Sequence, residues 1–186
     1  ATSRAYVARL GGRQFFMKKL KPQFASVPIY RHLFVKEYET GASVSHPNVV
    51  KYERLVMDAE EPYILMEYVN GCSLKQKVED DPDYFRDRKN LDKLLAQLLD
   101  GLSCLHAHHI LHCDITPQNI MLTQVNNDVK IIDLGFCYTD KYDYTVLCSH
   151  NGVGYNMGGQ YNRDTNVMTF ESDKFSTYAI GVKPVS

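Results

Sequence analysis

Apolar and polar positions alternate from the start of the chain. Tyr6-Val7-Ala8-Arg9-Leu10 and Gln14-Phe15-Phe16-Met17-Lys18 read as two strands, and Gly11-Gly12 between them reads as a hairpin turn. The stretch Tyr30 to Ser43 reads as a helix whose end is weakened by Gly41. His46-Pro47-Asn48 is a turn signal, Val49 to Met57 reads as a strand, and Asp58 to Pro62 as an acidic turn. Pro62 to Val69 then reads as a buried strand that Asn70-Gly71 ends. The clearest element is a helix over Asn90 to His108. Leu91, Leu94, Leu95, Leu98, Leu102 and Leu105 recur there at three- and four-residue spacing on one face, which is expected to be core.

Ile110-Leu111 follows that helix, and a polar loop runs from His112 to Asn119. Ile120-Met121-Leu122 and Val129-Lys130-Ile131-Ile132 read as short strands joined by a turn at Asn126-Asn127-Asp128. From Gly135 to about Thr169 the chain is rich in Tyr, Asp, Asn and Gly, which predicts a mobile loop. Phe175 to Val182 is apolar enough to begin a helix or strand. No internal repeat is present. Strands come first and a long helix leads the second half, an order that predicts two α+β lobes joined near Tyr68 to Ser73.

Composition narrows the classes. The 186 residues are 44% hydrophobic and 23% charged, so neither wholesale disorder nor a low-complexity fibre fits. Lysine and arginine number 21 against 22 acidic residues, a net charge of −1, which speaks against a dedicated nucleic-acid binder. The apolar runs are interrupted by Glu67, Gln97 and Asp100, so no stretch reads as a membrane span. The chain opens on Ala-Thr-Ser-Arg, without an initiator Met, signal peptide or lipidation motif, and reads as starting in mid-element. Five cysteines, Cys72, Cys104, Cys113, Cys137 and Cys148, form no C-x-x-C pair, and a reducing cytoplasm is the natural reading.

The chemistry concentrates in His112-Cys113-Asp114-Ile115-Thr116-Pro117-Gln118-Asn119 and Asp133-Leu134-Gly135. Asp114 and Asn119 share one polar loop, and Asp133 follows a short hairpin at a strand end. Two carboxylates and an amide oxygen can converge there. Hard oxygen donors suit Mg²⁺ shared with substrate phosphates, and the remaining carboxylate can take a proton from a hydroxyl nucleophile.

These stretches resemble the catalytic loop H-R-D-L-x-x-x-N and the D-F-G motif of protein kinases. Other motifs follow in kinase order. Phe16-Met17-Lys18 is similar to the end of the V-A-I-K strand, Glu37 falls where the family's helix glutamate falls, and Met66-Glu67-Tyr68-Val69-Asn70-Gly71 resembles a hinge with Met66 as gatekeeper. The resemblance covers roughly residues 5 to 137. It implies an α+β, bilobal protein-kinase-like fold, with a strand-rich N-lobe over 1–67 and a hinge and mainly helical, truncated C-lobe over 68–186. It also implies Lys18 on the nucleotide phosphates and paired with Glu37, Asp114 as base or orienter of the acceptor hydroxyl, and Asn119 and Asp133 on Mg²⁺. Met66 and backbone groups of Glu67 and Val69 would meet the adenine of ATP, and the acceptor would be a protein hydroxyl, Ser or Thr before Tyr.

The chain departs from the family pattern in several places. Most of the glycine-rich loop would lie upstream of Ala1, with Ser3 near the third glycine. Cys113 replaces the arginine before the catalytic aspartate, which speaks against activation through a phosphorylated loop. Thr116 stands where a lysine is usual, and Leu134 replaces phenylalanine. Beyond Cys137 the likeness fades. There is no A-P-E motif, Tyr155 to Gln160 is a poor relic of that region, and Asp173 to Ser176 and Tyr178 to Gly181 each resemble the next family helix in different registers.

Blander readings stand beside these. Lys19 and Glu39 are rivals to Lys18 and Glu37; the motif register selects Lys18, and spacing to His46-Pro47-Asn48 selects Glu37. Asp114, Asn119 and Asp133 are each ordinary turn formers, but joint placement favours the catalytic set. His112 reads as a brace of its loop. His106, His108, His109 and His112 cluster without an evident third zinc ligand. Cys113 is read as a buried inert thiol, reactive only if it lies near the site, and Tyr138, Tyr142, Tyr144 and Thr145 as solvated loop residues before phosphosites. The expected function is a Mg²⁺- and ATP-dependent protein kinase. The alternatives are a pseudokinase or scaffold that binds without efficient transfer, and a small-molecule kinase of the aminoglycoside or choline type.

Overall fold

The computed structural model describes residues 2–139 and the backbone of 142–150, 153–158, 160–162, 167–169 and 177–184. The chain divides into two compact units, Ala1–Thr139 and Asp140–Ser186.

The first unit begins with a hairpin of β1 (Ser3–Leu10) and β2 (Arg13–Leu20). Gly11 and Gly12 turn it with φ of +56° and +78°, a conformation in which a side chain is strained and which matches the twist of the strands. A single turn, α1 (Pro22–Ala25), and the longer α2 (Pro28–Ala42) follow, each with proline in its first turn, where a missing N–H costs nothing. Next come β3 (Tyr52–Val56) and β4 (Tyr63–Glu67). The sheet order is β1-β2-β4-β3, antiparallel throughout, and its register sets Lys18 opposite Ile64 and Phe16 opposite Met66.

After Glu67 the chain forms β5 (Gly71–Ser73), α3 (Leu74–Asp80), α4 (Arg88–Ala107), β6 (Ile110–Leu111), β7 (Ile120–Thr123), β8 (Val129–Ile131) and β9 (Tyr138–Thr139). The Ser73 hydroxyl caps α3 by accepting from the Gln76 N–H, and the Asp87 carboxylate caps α4 by accepting from the Lys89 N–H. Strands β5, β7 and β8 form one small sheet, and β6 pairs with β9. The 46–48 turn is bonded directly to β8: Ile131 donates to the Asn48 carbonyl, Val50 to the Ile131 carbonyl, and the Asn48 amide to the Val129 carbonyl.

One core cluster carries side chains from both halves of this unit. Leu20, Phe34, Tyr52, Ile64 and Met66 belong to it together with Leu105, Ile131, Leu134 and Cys137. The leucine face of α4 is narrower than the spacing predicts. Leu105 is fully buried, but Leu95 is 46% exposed. Four-residue spacing carries Leu95 around the cylinder to the edge of the stripe, beside Leu99 at 62% exposure.

The second unit corrects the expectation of a loop from Gly135 to Thr169. Its described backbone forms β10 (Tyr142–His150), β11 (Val153–Gly158), β12 (Gln160–Asn162), β13 (Val167–Thr169) and β14 (Thr177–Pro184). Strand β10 lies between β11 and β14, and β12 pairs with β13. Counting Asp, Asn and Gly as breakers underweights the Tyr, Thr and Val content of β10, residue types that favour a pleated surface. The segment Asp173 to Ser176 and the side chains of Tyr138, Tyr142, Tyr144, Thr145 and Cys148 lie outside the described residues. Among the described residues no helix is long and apolar enough to cross a membrane.

Candidate active site

Lys18 is the meeting point of three elements. It sits near the end of β2, Glu37 in the middle of α2, and Asp133 just past β8. The Lys18 ammonium lies 2.7 and 2.8 Å from the two Glu37 carboxylate oxygens and 3.0 Å from Asp133 Oδ1. Lys19, on the opposite face of the strand, pairs instead with Glu61, and Glu39 is exposed. Burial disfavours the Lys18 charge, but Glu37 and Asp133 outweigh it and hold the ammonium above its ordinary range. Burial pushes the Glu37 carboxyl upward against the pull of Lys18. Glu37 is 5% exposed, so removing Lys18 strands its charge, whereas Lys18 without Glu37 would keep Asp133.

A fourth side chain enters this group without a sequence signal. The Tyr52 phenol donates to Glu37 Oε1 at 3.3 Å and accepts from the Leu134 N–H at 3.2 Å. Its ring lies against Gly41, where a Cβ would stand 2.2 Å from the nearest ring carbon. Helix α2 ends one residue past Gly41, at Ala42, and the missing side chain makes the room that Tyr52 fills. Lys36, the neighbour of Glu37, is buried and donates to the Cys137 carbonyl, and Glu37 reaches Asp133 through Lys18 and the Leu134 N–H through Tyr52.

The polar loop forms a second group. His112 is 3% exposed; its Nε2 lies 3.0 Å from the Ile132 carbonyl, and its Nδ1 accepts from the Asp114 N–H. That pairing requires the neutral imidazole with its proton on Nε2. Burial pushes the ring's pKa below the usual value, partly offset by the Ile132 carbonyl and the charges of Asp133 and Asp114. Asn119 donates its amide to the Asp114 carboxylate at 2.8 Å and to the Asp114 carbonyl at 3.1 Å. Its backbone carbonyl accepts from the Ile132 N–H, which fixes the loop to the strand end that carries Asp133. Cys113 is exposed, which corrects the expectation of a buried thiol, and its backbone turns at φ +62°; Asp133 adopts φ +61°.

The end of β4 and the residues after it carry a third set of positions. Met66 is buried opposite Phe16 and Tyr52, and Val69 is half-buried. The Glu67 carboxylate accepts from Lys130 of β8 at 2.8 Å, tying this stretch to the small sheet. Phe16 lies two residues before Lys18, on the same face of β2.

The donor set fits a hard divalent cation. Both Asn119 amide hydrogens point toward Asp114, which leaves its carbonyl oxygen for another partner. Asp133 uses Oδ1 for Lys18 and the Gly135 N–H, which leaves Oδ2. The histidines are arranged otherwise. His108 Nδ1 turns to the Cys104 carbonyl, and among the described residues no three His, Cys, Asp or Glu side chains group to hold a metal.

A lysine held by a helix carboxylate, with an aspartate at a strand end and an Asp/Asn loop beside it, is the arrangement the motifs imply. The family described as protein kinase domain matches residues 2–155. The chain belongs to the protein kinase family. It is similar to the probable serine/threonine-protein kinase PknB of Lactococcus lactis, 28% identical over 93% of this chain and 27% of that protein. It is 34% identical to the probable serine/threonine-protein kinase SCO3848 of Streptomyces coelicolor over 70% of this chain and 20% of the relative. The serine/threonine-protein kinase PknB of Mycolicibacterium smegmatis is 32% identical over 66% of this chain and 20% of its own length. The kinase chain described here thus spans about a quarter or less of each of these relatives. Within the kinase frame, the motif positions account for Lys18, Glu37, Asp114, Asn119 and Asp133, whereas Tyr52 and Lys36 stand at positions that strand and helix patterning marks only as inward.

Proposed function

We propose that the chain is the catalytic part of an ATP- and Mg²⁺-dependent kinase that transfers the γ-phosphoryl group to a Ser or Thr hydroxyl of a protein, in the cytoplasm. The observation that carries this reading is the Lys18 ammonium held between Glu37 and Asp133 at 2.7 to 3.0 Å. The printed names of the relatives favour Ser/Thr as acceptor. Residues 1–67 act as the N-lobe, and 68–186 supply the hinge and C-lobe residues.

On this reading Lys18, oriented by Glu37, binds the α- and β-phosphates. Asp133 and the Asn119 carbonyl oxygen would hold Mg²⁺, which when bound would neutralise phosphate charge. Asp114, its carboxylate steadied by the Asn119 amide, accepts the hydrogen bond of the acceptor hydroxyl and aims it. Met66 and the backbone of Glu67 and Val69 border the adenine. Little covalent chemistry falls to the protein; positioning and charge stabilisation do the work.

The test is transfer from labelled ATP to a Ser/Thr-containing protein by the native chain, Lys18→Met and Asp133→Ala. Each variant should lose at least ~10²-fold in rate, the scale of removing one preorganised electrostatic group. Unchanged turnover in Asp133→Ala would sink the assignment.

A second reading, a pseudokinase or binding module, draws on Phe16. The V-A-I-K pattern has alanine two residues before the lysine, and here a phenyl ring stands there on the face that Lys18 shares. Cys113 and Thr116 add to it. Nucleotide binding without transfer would select this reading.

A further inference from the structure

The roles above leave the hydroxyl of Tyr52 unused, although it touches two of the three elements that meet at Lys18. Tyr52 opens β3 and is 4% exposed. Its oxygen donates to Glu37 Oε1 at 3.3 Å and accepts from the Leu134 N–H at 3.2 Å. A buried hydroxyl costs stability unless its proton and a lone pair are both used, and here both are. Phenylalanine would fill the same volume against Gly41, so the volume alone does not explain tyrosine. Each of its partners adjoins a charge of the site. Glu37 is the carboxylate on Lys18, and Leu134 directly follows Asp133, whose backbone at φ +61° is in a region that non-glycine residues rarely adopt without support.

We propose that Tyr52 is a positioning residue: its hydroxyl locks the Glu37 carboxylate and the Asp133-Leu134 backbone in one mutual arrangement, so that Lys18 and Asp133 present to the phosphates together. Gly41 is the complementary half of the device. A Cβ there would stand 2.2 to 2.5 Å from three ring carbons of Tyr52 and displace the phenol from both partners. The kinetic consequence rests on the kinase reading, whereas the contacts do not.

The experiment compares the native chain with Tyr52→Phe in two readouts. In amide hydrogen exchange followed by NMR, Leu134 should exchange at least tenfold faster in the variant, with Leu65 of β4 unchanged and the melting temperature nearly retained. In phosphoryl transfer, kcat should fall about tenfold with KM for the protein substrate unchanged, the scale of one hydrogen bond to a charged group. In a Glu37→Leu background the same substitution should cost less than twofold, because one of the two ends that the hydroxyl ties together is gone. Unchanged Leu134 exchange together with unchanged kcat overturns the proposal, and so does an equal kcat loss in both backgrounds. If the native chain transfers nothing while Leu134 exchange still accelerates in Tyr52→Phe, the positioning role stands and the kinase reading fails.

Discussion

Phe16 and His112 show how single side chains set the behaviour of this site. Phe16 shares the face of β2 with Lys18 and lies opposite Met66, so its ring borders the space where the hinge would meet a base. Phe16→Ala should tighten binding of Mg-ATP several-fold, read by titration with a fluorescent nucleotide; weaker binding would mean the ring is a stacking surface and not an obstruction. His112 carries a pH dependence whose sign follows from its burial. Its pKa in the folded chain is lowered, so the unfolded chain takes up a proton first as pH falls below about 6.5. Stability should therefore decline as pH drops through that point, and thermal unfolding of His112→Gln should show a shallower decline. An identical pH slope in the two proteins would contradict a buried neutral imidazole. The polar residues of the candidate site were legible in sequence because fixed spacing ties each to a turn or strand end. Tyr52 was not, because an apolar-looking strand position says nothing about where a hydroxyl finds its partners.

At the scale of elements, legibility followed length and periodicity. The β1–β2 hairpin and α4 were readable, the first from alternation around Gly11-Gly12 and the second from its leucines. Helix α3, Leu74–Asp80, was missed because it buries none of its residues and so carries no apolar stripe; its Ser73 cap is the cue that was available. Strand β10 was missed because aromatic and β-branched residues were mixed with Asp and Ser. The element on which the site most depends is β8. Ile131 is fully buried and is bonded through its backbone to the 46–48 turn, and Asp133 follows two residues later. Ile131→Ala should cost about 2–5 kcal/mol, the range for truncating a buried aliphatic side chain. Urea unfolding checks this, and a loss under about 1 kcal/mol would show that the cluster closes around the gap.

For the molecule as a whole, the first unit unites a four-stranded antiparallel sheet, α2 and the α4-led segment through one core, and the candidate site lies where these elements converge on Lys18. That convergence gives family membership its chemical content: cation, carboxylates and amide oxygen arrive from β2, α2, the 112–119 loop and the end of β8. The activity proposed for this assembly is phosphoryl transfer. The measurement that reaches it most directly is an intact mass spectrum of the folded chain and of an added Ser-rich protein, before and after Mg-ATP, with Asp133→Ala alongside. Phosphate increments are expected on the chain or the added protein with the native sequence and none with Asp133→Ala. Absence of increments from the native chain while it demonstrably binds Mg-ATP would contradict the proposed activity.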